Sequence, residues 1–325
     1  MNQPASPGSQ LGPLNPGNVV SAALKLYRDR FKTYLHLAWL ATLWIAAGGI
    51  ALGLAVVLPA AVLGAVGGEV MAIVGGLLGL VLGLIPLLYG MAKYYKLSSV
   101  VGRLCFRELI GQPETSLAAR RQVEPKLGQF LLLGFLLLLA YGAIYLVAAL
   151  AALVAGGIVG GVTFGIFAAI TSSVVGGIVG GALGGILGLG VFLVLVLWLL
   201  SRLLIADVVL AIELDQDGGG SLSRSWELTR TSVWRIQVVL LATFLIQLPI
   251  ISVTNYIPSI ALSFVPADSL AYGIGLALSL VFSLLGSLVI LPLWQAVKGV
   301  LYYDLRSRRE GLDLKLRQSP GDAVL

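Results

Sequence analysis

The side chains that could do chemistry are few. His36 is the only histidine and Cys105 the only cysteine in 325 residues. One histidine rules out His pairs and His-based metal clusters, and one cysteine rules out an intrachain disulfide. His36 stands at the start of an apolar run, where it reads as a structural or hydrogen-bonding group. Cys105 lies between Arg103 and Arg107 and reads as a small interfacial residue. Glu213, Asp215 and Asp217 sit in a loop and read as a solvated turn. No carboxylate falls near the middle of a hydrophobic run, and Asp207 follows Arg202 closely. Proton or cation coupling through a buried acid is therefore not expected. The polar groups inside the apolar runs are neutral: Gln129, Gln247, Asn255 and Gln295. These features argue against an enzyme and imply no cofactor and no metal.

The conspicuous pattern is instead arginine beside aromatic residues. In "SLSRSWELTRTSVWRI", Arg224, Trp226, Arg230, Trp234 and Arg235 directly precede an uncharged run. In "LYYDLRSRREG", Tyr302, Asp304, Arg306 and Arg308 directly follow one. Tryptophan and arginine suit the headgroup level of a bilayer, where one part of the side chain is wet and the other apolar. These nine residues form the candidate site for anionic lipid or a protein partner. Asp304 is expected to pair with one of the arginines, Arg230 being the one to test, and so to lock the closing helix to the "SRSWELTR" helix.

The elements that position them follow from composition. The chain is 58% hydrophobic and 11% charged, against about 25% charged in soluble domains. Uncharged runs of 18 or more residues recur without period-2 alternation, which points to spanning helices and excludes a barrel. The expected fold is all-α and polytopic. It has about six transmembrane helices arranged as three hairpins, each preceded by a cytoplasmic interfacial amphipathic helix. The spans are placed at Thr33 to about Gly64, Met71 to Lys93, after Lys126 to Val154, Val174 to Ser201, Ile236 to Asn255, and Ser269 to Val297. Gly67 and Gly68 supply the first turn. A glycine-rich or re-entrant stretch from Gly156 to Thr171 links the third and fourth spans. Asn18, Thr115 and Ser221 are the helix-cap candidates. They mark approximate repeat units 18–111, 115–214 and 221–311 inside a single membrane domain, 18–311. Residues 1–17 read as a disordered tail and 312–325 as a second tail, both cytoplasmic.

Charge orients the bundle. All 21 Lys and Arg fall in four blocks, Lys25–Lys32, Lys93–Lys126, Arg202–Arg235 and Lys298–Arg317. With an even number of crossings these share one face, leaving only Glu69 and Asp268 opposite. The basic face is then cytoplasmic, with both termini. The expected location is a prokaryotic cytoplasmic membrane, or a thylakoid in a photosynthetic cell. Glycines four apart, Gly156/Gly160, Gly157/Gly161, Gly176/Gly180/Gly184/Gly188 and Gly177/Gly181/Gly185, all suit close helix packing. Pro59, Pro86, Pro249, Pro258 and Pro292 read as kinks or ends. A basic face without a folded basic domain gives no basis for nucleic-acid binding.

Three segments, "LNPGNVVSAALKLYRDRFKTYL", "SLSRSWELTRTSVWRI" and "LYYDLRSRREGLDLKL", resemble the membrane domain of the glycerophosphoryl diester phosphodiesterase family and its stand-alone relatives. The most specific matches are Ser225 to Arg235 and Tyr302 to Leu314. In that family the chemistry belongs to a separate soluble barrel carrying His and carboxylates, which is absent here. The resemblance therefore implies a membrane module and argues against hydrolase activity. The expected function is non-enzymatic. The protein organises or scaffolds membrane by binding anionic lipid of the cytoplasmic leaflet, a protein partner or another copy of itself. The alternative is a transporter or channel for a lipid-like or small solute.

Overall fold

The computed structural model describes residues 14–314, and the remainder of both expected tails lies outside the described residues. The described residues contain helices and no strands. They are α1 (Pro16–Asp29), α2 (Phe31–Leu109), α3 (Ser116–Val123), α4 (Leu127–Ile170), α5 (Ser173–Leu203), α6 (Ala206–Ile212), α7 (Gly218–Thr229), α8 (Val233–Ile251), α9 (Ile257–Ser263) and α10 (Leu270–Glu310). Five stretches are long and apolar enough to cross a membrane: Phe31–Leu109, Ser116–Ile170, Ser173–Ile212, Val233–Ser263 and Leu270–Glu310. The chain is a multi-pass helical membrane protein by length and composition.

Contacts divide it into two compact units. One comprises the residues up to Phe135 and those from Ile205 onward; the other is Leu136–Leu204.

In the first unit, α2 leaves helical geometry at Gly67 (φ −126°, ψ 16°) and Gly68 (φ 69°, ψ −160°). Only glycine adopts the second conformation without strain, so the chain folds back there. The two arms then lie backbone against backbone. A Cβ on Gly48 would stand 3.0 Å from the Pro86 carbonyl oxygen, and one on Gly75 or Gly79 would collide with the backbone of Pro59 or Ala55. The second arm packs again at its far end. A methyl at Gly102 would sit 2.8 Å from Val208 on α6 and 3.2 Å from the Gln295 carbonyl oxygen on α10. Every residue of α6 is buried, so this short helix is the centre of the core.

Helix starts differ from the sequence expectation at two of three places. Thr115 does cap α3, its hydroxyl accepting from the Ala118 amide. However, α1 begins after Asn15, with Pro16 in the first turn, because the proline ring presets φ for a helix. Leu14 is buried as well, so the segment ahead of residue 18 is ordered structure from Leu14 on. Asp217 rather than Ser221 caps α7, accepting from the Gly220 amide. The glycines of "DQDGGG" are thus the helix's first turn. At the other end, α10 runs unbroken past Val297 to Glu310 and stops at Gly311 (φ 62°). Leu312 and Asp313 beyond it are buried, so these two residues of the expected tail belong to the packed structure.

The expected interfacial helices are covered by protein. The apolar face of α1 (Val19, Val20, Ala23, Leu26) is buried, and the helix packs on α8 and α10. The buried face of α7 (Ser221, Ser225, Leu228) packs on α6 and α10. Both helices satisfy their amphipathic pattern against neighbouring helices. α7 also ends at Thr229, so Val233 and Ile236 belong to a separate helix, α8. After Pro249 the chain passes through a π-helical turn, Ser252–Tyr256, before α9. Helix therefore continues beyond the expected end at Asn255.

In the second unit, α4 stays helical through Ile170 and the chain turns only at Thr171 and Ser172, whose hydroxyl caps α5. The expected glycine-rich or re-entrant linker from Gly156 is helix instead. Glycine weakens an isolated helix, but close contact with α5 offsets that. A Cβ on Gly160 would lie 3.0 Å from the Gly180 carbonyl oxygen, and one on Gly188 3.0 Å from that of Ala152. Gly157, Gly161, Gly177, Gly181 and Gly185 face open space.

Candidate functional site

The charged helix ends of the first unit interlock, and they do so through five side chains in a closed ring. Glu213, the residue that ends α6, accepts from Arg224 Nε on α7 at 3.2 Å. Arg224 also reaches Glu310 on α10. Glu310 Oε2 accepts from Arg306 Nε at 3.0 Å, and Arg306 Nη1 donates to the Tyr302 hydroxyl at 3.2 Å. The Tyr302 hydroxyl donates back to Glu213 Oε1 at 2.6 Å, closing the ring. Tyr302, Arg306 and Glu310 stand four residues apart, on one face of α10, as the helical repeat requires. Two carboxylates and two guanidiniums leave the ring neutral. Burial works against the Arg224 charge, but Glu213 and Glu310 outweigh it and hold its pKa above the ordinary value.

A second cluster centres on Asp304, which is fully buried. Its carboxylate accepts from Arg235 Nε at 2.9 Å and Nη2 at 3.2 Å, and from Arg308 Nε at 3.2 Å. It also accepts the backbone N–H of Leu14 at 2.7 Å, while Arg308 Nη2 donates to the Leu14 carbonyl at 3.0 Å. Asp304 therefore does lock the closing helix, but through Arg235. The expected partner Arg230 is exposed, on the turn between α7 and α8. The α7 helix is locked to α10 by Arg224 and Glu310 instead.

Two further clusters centre on buried charges. Asp207 on α6 accepts from Lys298 Nζ at 3.0 Å and from Gln295 Nε2 at 2.9 Å, and Gln295 Nε2 also approaches Ser98 Oγ at 3.3 Å. Arg103 is fully buried. It meets Glu114 at 2.7 Å, donates to the Ala211 carbonyl at 2.7 Å, and reaches Gln122. Lys126 Nζ donates to the carbonyls of Leu210, Glu213 and Gln216 at 2.9–3.1 Å, satisfying the open end of α6. Sequence reasoning gave Arg103 no role, set Asp207 aside as an acid close to Arg202, and read Gln295 only as a neutral polar group in an apolar run. The signal was there: Arg103 and Asp207 are single charges within apolar stretches, "VVGRLCF" and "IADVVLAI".

Of the nine candidate residues, Arg224, Arg235, Tyr302, Asp304, Arg306 and Arg308 thus bond to one another or to other protein groups. Arg230, Trp226 (42% exposed) and Trp234 (85% exposed) present side chains outward. Among the neutral polar residues, Gln129 accepts the Gly218 N–H at 3.0 Å and Asn255 donates to Thr254 Oγ1 at 2.9 Å. Gln247 is buried in α8. His36 is exposed. Cys105 is buried, with its thiol 3.4 Å from the Tyr34 hydroxyl. Among the described residues no three His, Cys, Asp or Glu side chains converge as metal ligands. Chemically, this arrangement is a set of fixed, mutually neutralising ion pairs that fasten helix ends together.

Compared with known proteins, the chain matches no family model, no curated protein and no solved structure.

Proposed function

We propose that the protein is a non-enzymatic membrane scaffold. It crosses the bilayer six times as three hairpins and meets anionic lipid, or a protein partner, at its basic cytoplasmic face. The count of six follows from reading the two arms of α2 as separate crossings. The resemblance of the Ser225–Arg235 and Tyr302–Leu314 segments to a phosphodiesterase membrane domain supports a membrane module, in a prokaryotic cytoplasmic membrane or a thylakoid.

One observation carries the reading. Arg224 on α7 and Arg235 on α8 are tied into protein carboxylates, while Arg230 on the turn between these helices and Trp234 at the start of α8 are exposed and Trp226 of α7 is 42% exposed. An aromatic–cation–aromatic rim on a rigid, charge-satisfied base is suited to headgroup contact. The alternative, a transporter or channel, requires a hydrated path. The clefts along α4 with α5, and along α9 with α10, are lined by glycine and apolar side chains with a single serine, Ser279, which favours the scaffold.

The test is lipid retention by native mass spectrometry of the full chain. The W226A/R230Q/W234A variant should retain phosphatidylglycerol about fivefold less than the parent, since one surface cation contributes roughly 1 kcal/mol. Unchanged retention would refute the rim as the contact.

A further inference from the structure

Between α1 and α2 the chain bends at Arg30 (φ −121°, ψ 28°) and opens a cleft of about 450 Å³ lined by Arg28, Asp29, Arg30, Phe31, Lys32 and Thr33. The charge here differs from that of the interlocked base. Arg28 is 81% exposed and only loosely paired with Asp29, at 3.7 Å. Lys32 is exposed and shows no partner among the described residues. Arg30 is held by Glu108 at 2.8 Å. Three cations against two carboxylates leave net positive charge at a concave surface. The Thr33 hydroxyl and the first-turn amides of α2, which has no side-chain cap, add donors.

Directly beyond the cleft, an apolar track runs along the same helix face. Lys32, Trp39, Leu43 and Ile50 follow one another at helical spacing. Trp39 is 48%, Leu43 45% and Ile50 64% exposed. The order along the helix is cation, then interfacial aromatic, then aliphatic, which is the order of a phospholipid from phosphate to chain.

We propose that the α1–α2 elbow seats the phosphate of an anionic phospholipid, whose acyl chain lies along Trp39, Leu43 and Ile50. Arg28 and Lys32 hold the phosphate, Arg30 stays with Glu108 and shapes the bend, and Phe31 flanks the headgroup. The assignment rests on the membrane reading above and adds a lipid site at an elbow that none of the nine rim and base residues shares.

The full chain in detergent, titrated with phosphatidylglycerol, phosphatidylcholine or inorganic phosphate and read by native mass spectrometry, tests it. R28Q/K32Q should weaken phosphatidylglycerol binding roughly tenfold or more, at about fivefold per cation, and weaken phosphatidylcholine, whose phosphate charge is offset by its choline, by less. Both side chains are on the surface, so the variant should unfold at the parent temperature. W39A/L43A should weaken the lipid but not inorganic phosphate. Undiminished phosphatidylglycerol binding in R28Q/K32Q would overturn the proposal, as would inorganic phosphate binding as tightly as the lipid. Loss of lipid from W226A/R230Q/W234A but not from R28Q/K32Q would discard the elbow alone. Retention in both would discard the rim as well.

Discussion

Asp304 is where one side chain decides most. It gathers Arg235, Arg308 and the Leu14 amide around a carboxylate with no solvent exposure. Removing one member of a buried pair leaves the other charge uncompensated, at a cost of about 3–5 kcal/mol. D304A should therefore lower the thermal midpoint strongly in detergent, and R235A should couple to it by about 1–3 kcal/mol in a double-mutant cycle. R230A should couple to D304A by nothing measurable, because Arg230 stands on the α7–α8 turn away from the carboxylate. Coupling to Arg230 instead of Arg235 would reverse the pairing described above. The need for a partner was legible in the sequence, since an acid in "YYDLRSRRE" lies among arginines. The choice of Arg235 was not, because it depends on where α8 crosses α10.

At the scale of elements, the glycines divide into two sets that sequence spacing alone does not distinguish. Gly156, Gly160, Gly180, Gly184 and Gly188 meet opposing backbone, whereas Gly157, Gly161, Gly181 and Gly185 face outward. Overpacking a close contact costs about 1–3 kcal/mol. G184L should thus loosen the α4–α5 pair, measured as faster proteolysis or a lower unfolding temperature, whereas G185L should leave the folded chain unchanged. Equal effects would mean the two faces are not distinct. The helix caps give a similar lesson. Thr115 was readable because a hydroxyl ahead of an amphipathic stretch has few rivals. Asp217 was hidden because three glycines imitate a turn, and the helix tolerates them where Gly218 packs closely on α4's first turns, its added Cβ 2.7 Å from the Gln129 carbonyl oxygen.

Across the molecule, charge and length set the topology that labelling can check. α10 has 41 residues, about 60 Å at 1.5 Å per residue, twice the roughly 30 Å of hydrocarbon. Its final turns therefore stand outside the bilayer as part of the ion-paired base. With six crossings, cysteines at Arg121 and Asp215, both exposed, should react with an impermeant maleimide from the cytoplasmic side only. Cysteines at Glu69 and Asp268 should react from the opposite side. A C105A background keeps the readout clean, since alanine fills the buried thiol's place without adding a polar group. Arg121 and Asp215 reacting from different sides would mean that the stretch between them crosses an odd number of times, and the scaffold reading would fall with the topology.

Composition and pattern are enough to make the chain helical, multi-pass and poor in catalytic side chains, because exposing uncharged runs of this length to water is untenable and one histidine supports little chemistry. They also locate the Gly67–Gly68 turn, since only glycine takes that backbone without strain. Which cations are consumed and which remain outward emerges only from how the helices pack. An arginine's partner is set by distances between helices, such as α7 to α10 and α8 to α10, and such distances are not encoded in local spacing. For the same reason Arg103 and Asp207, single charges in apolar stretches, emerged as the buried fasteners of the core only once α2, α6 and α10 were seen to meet.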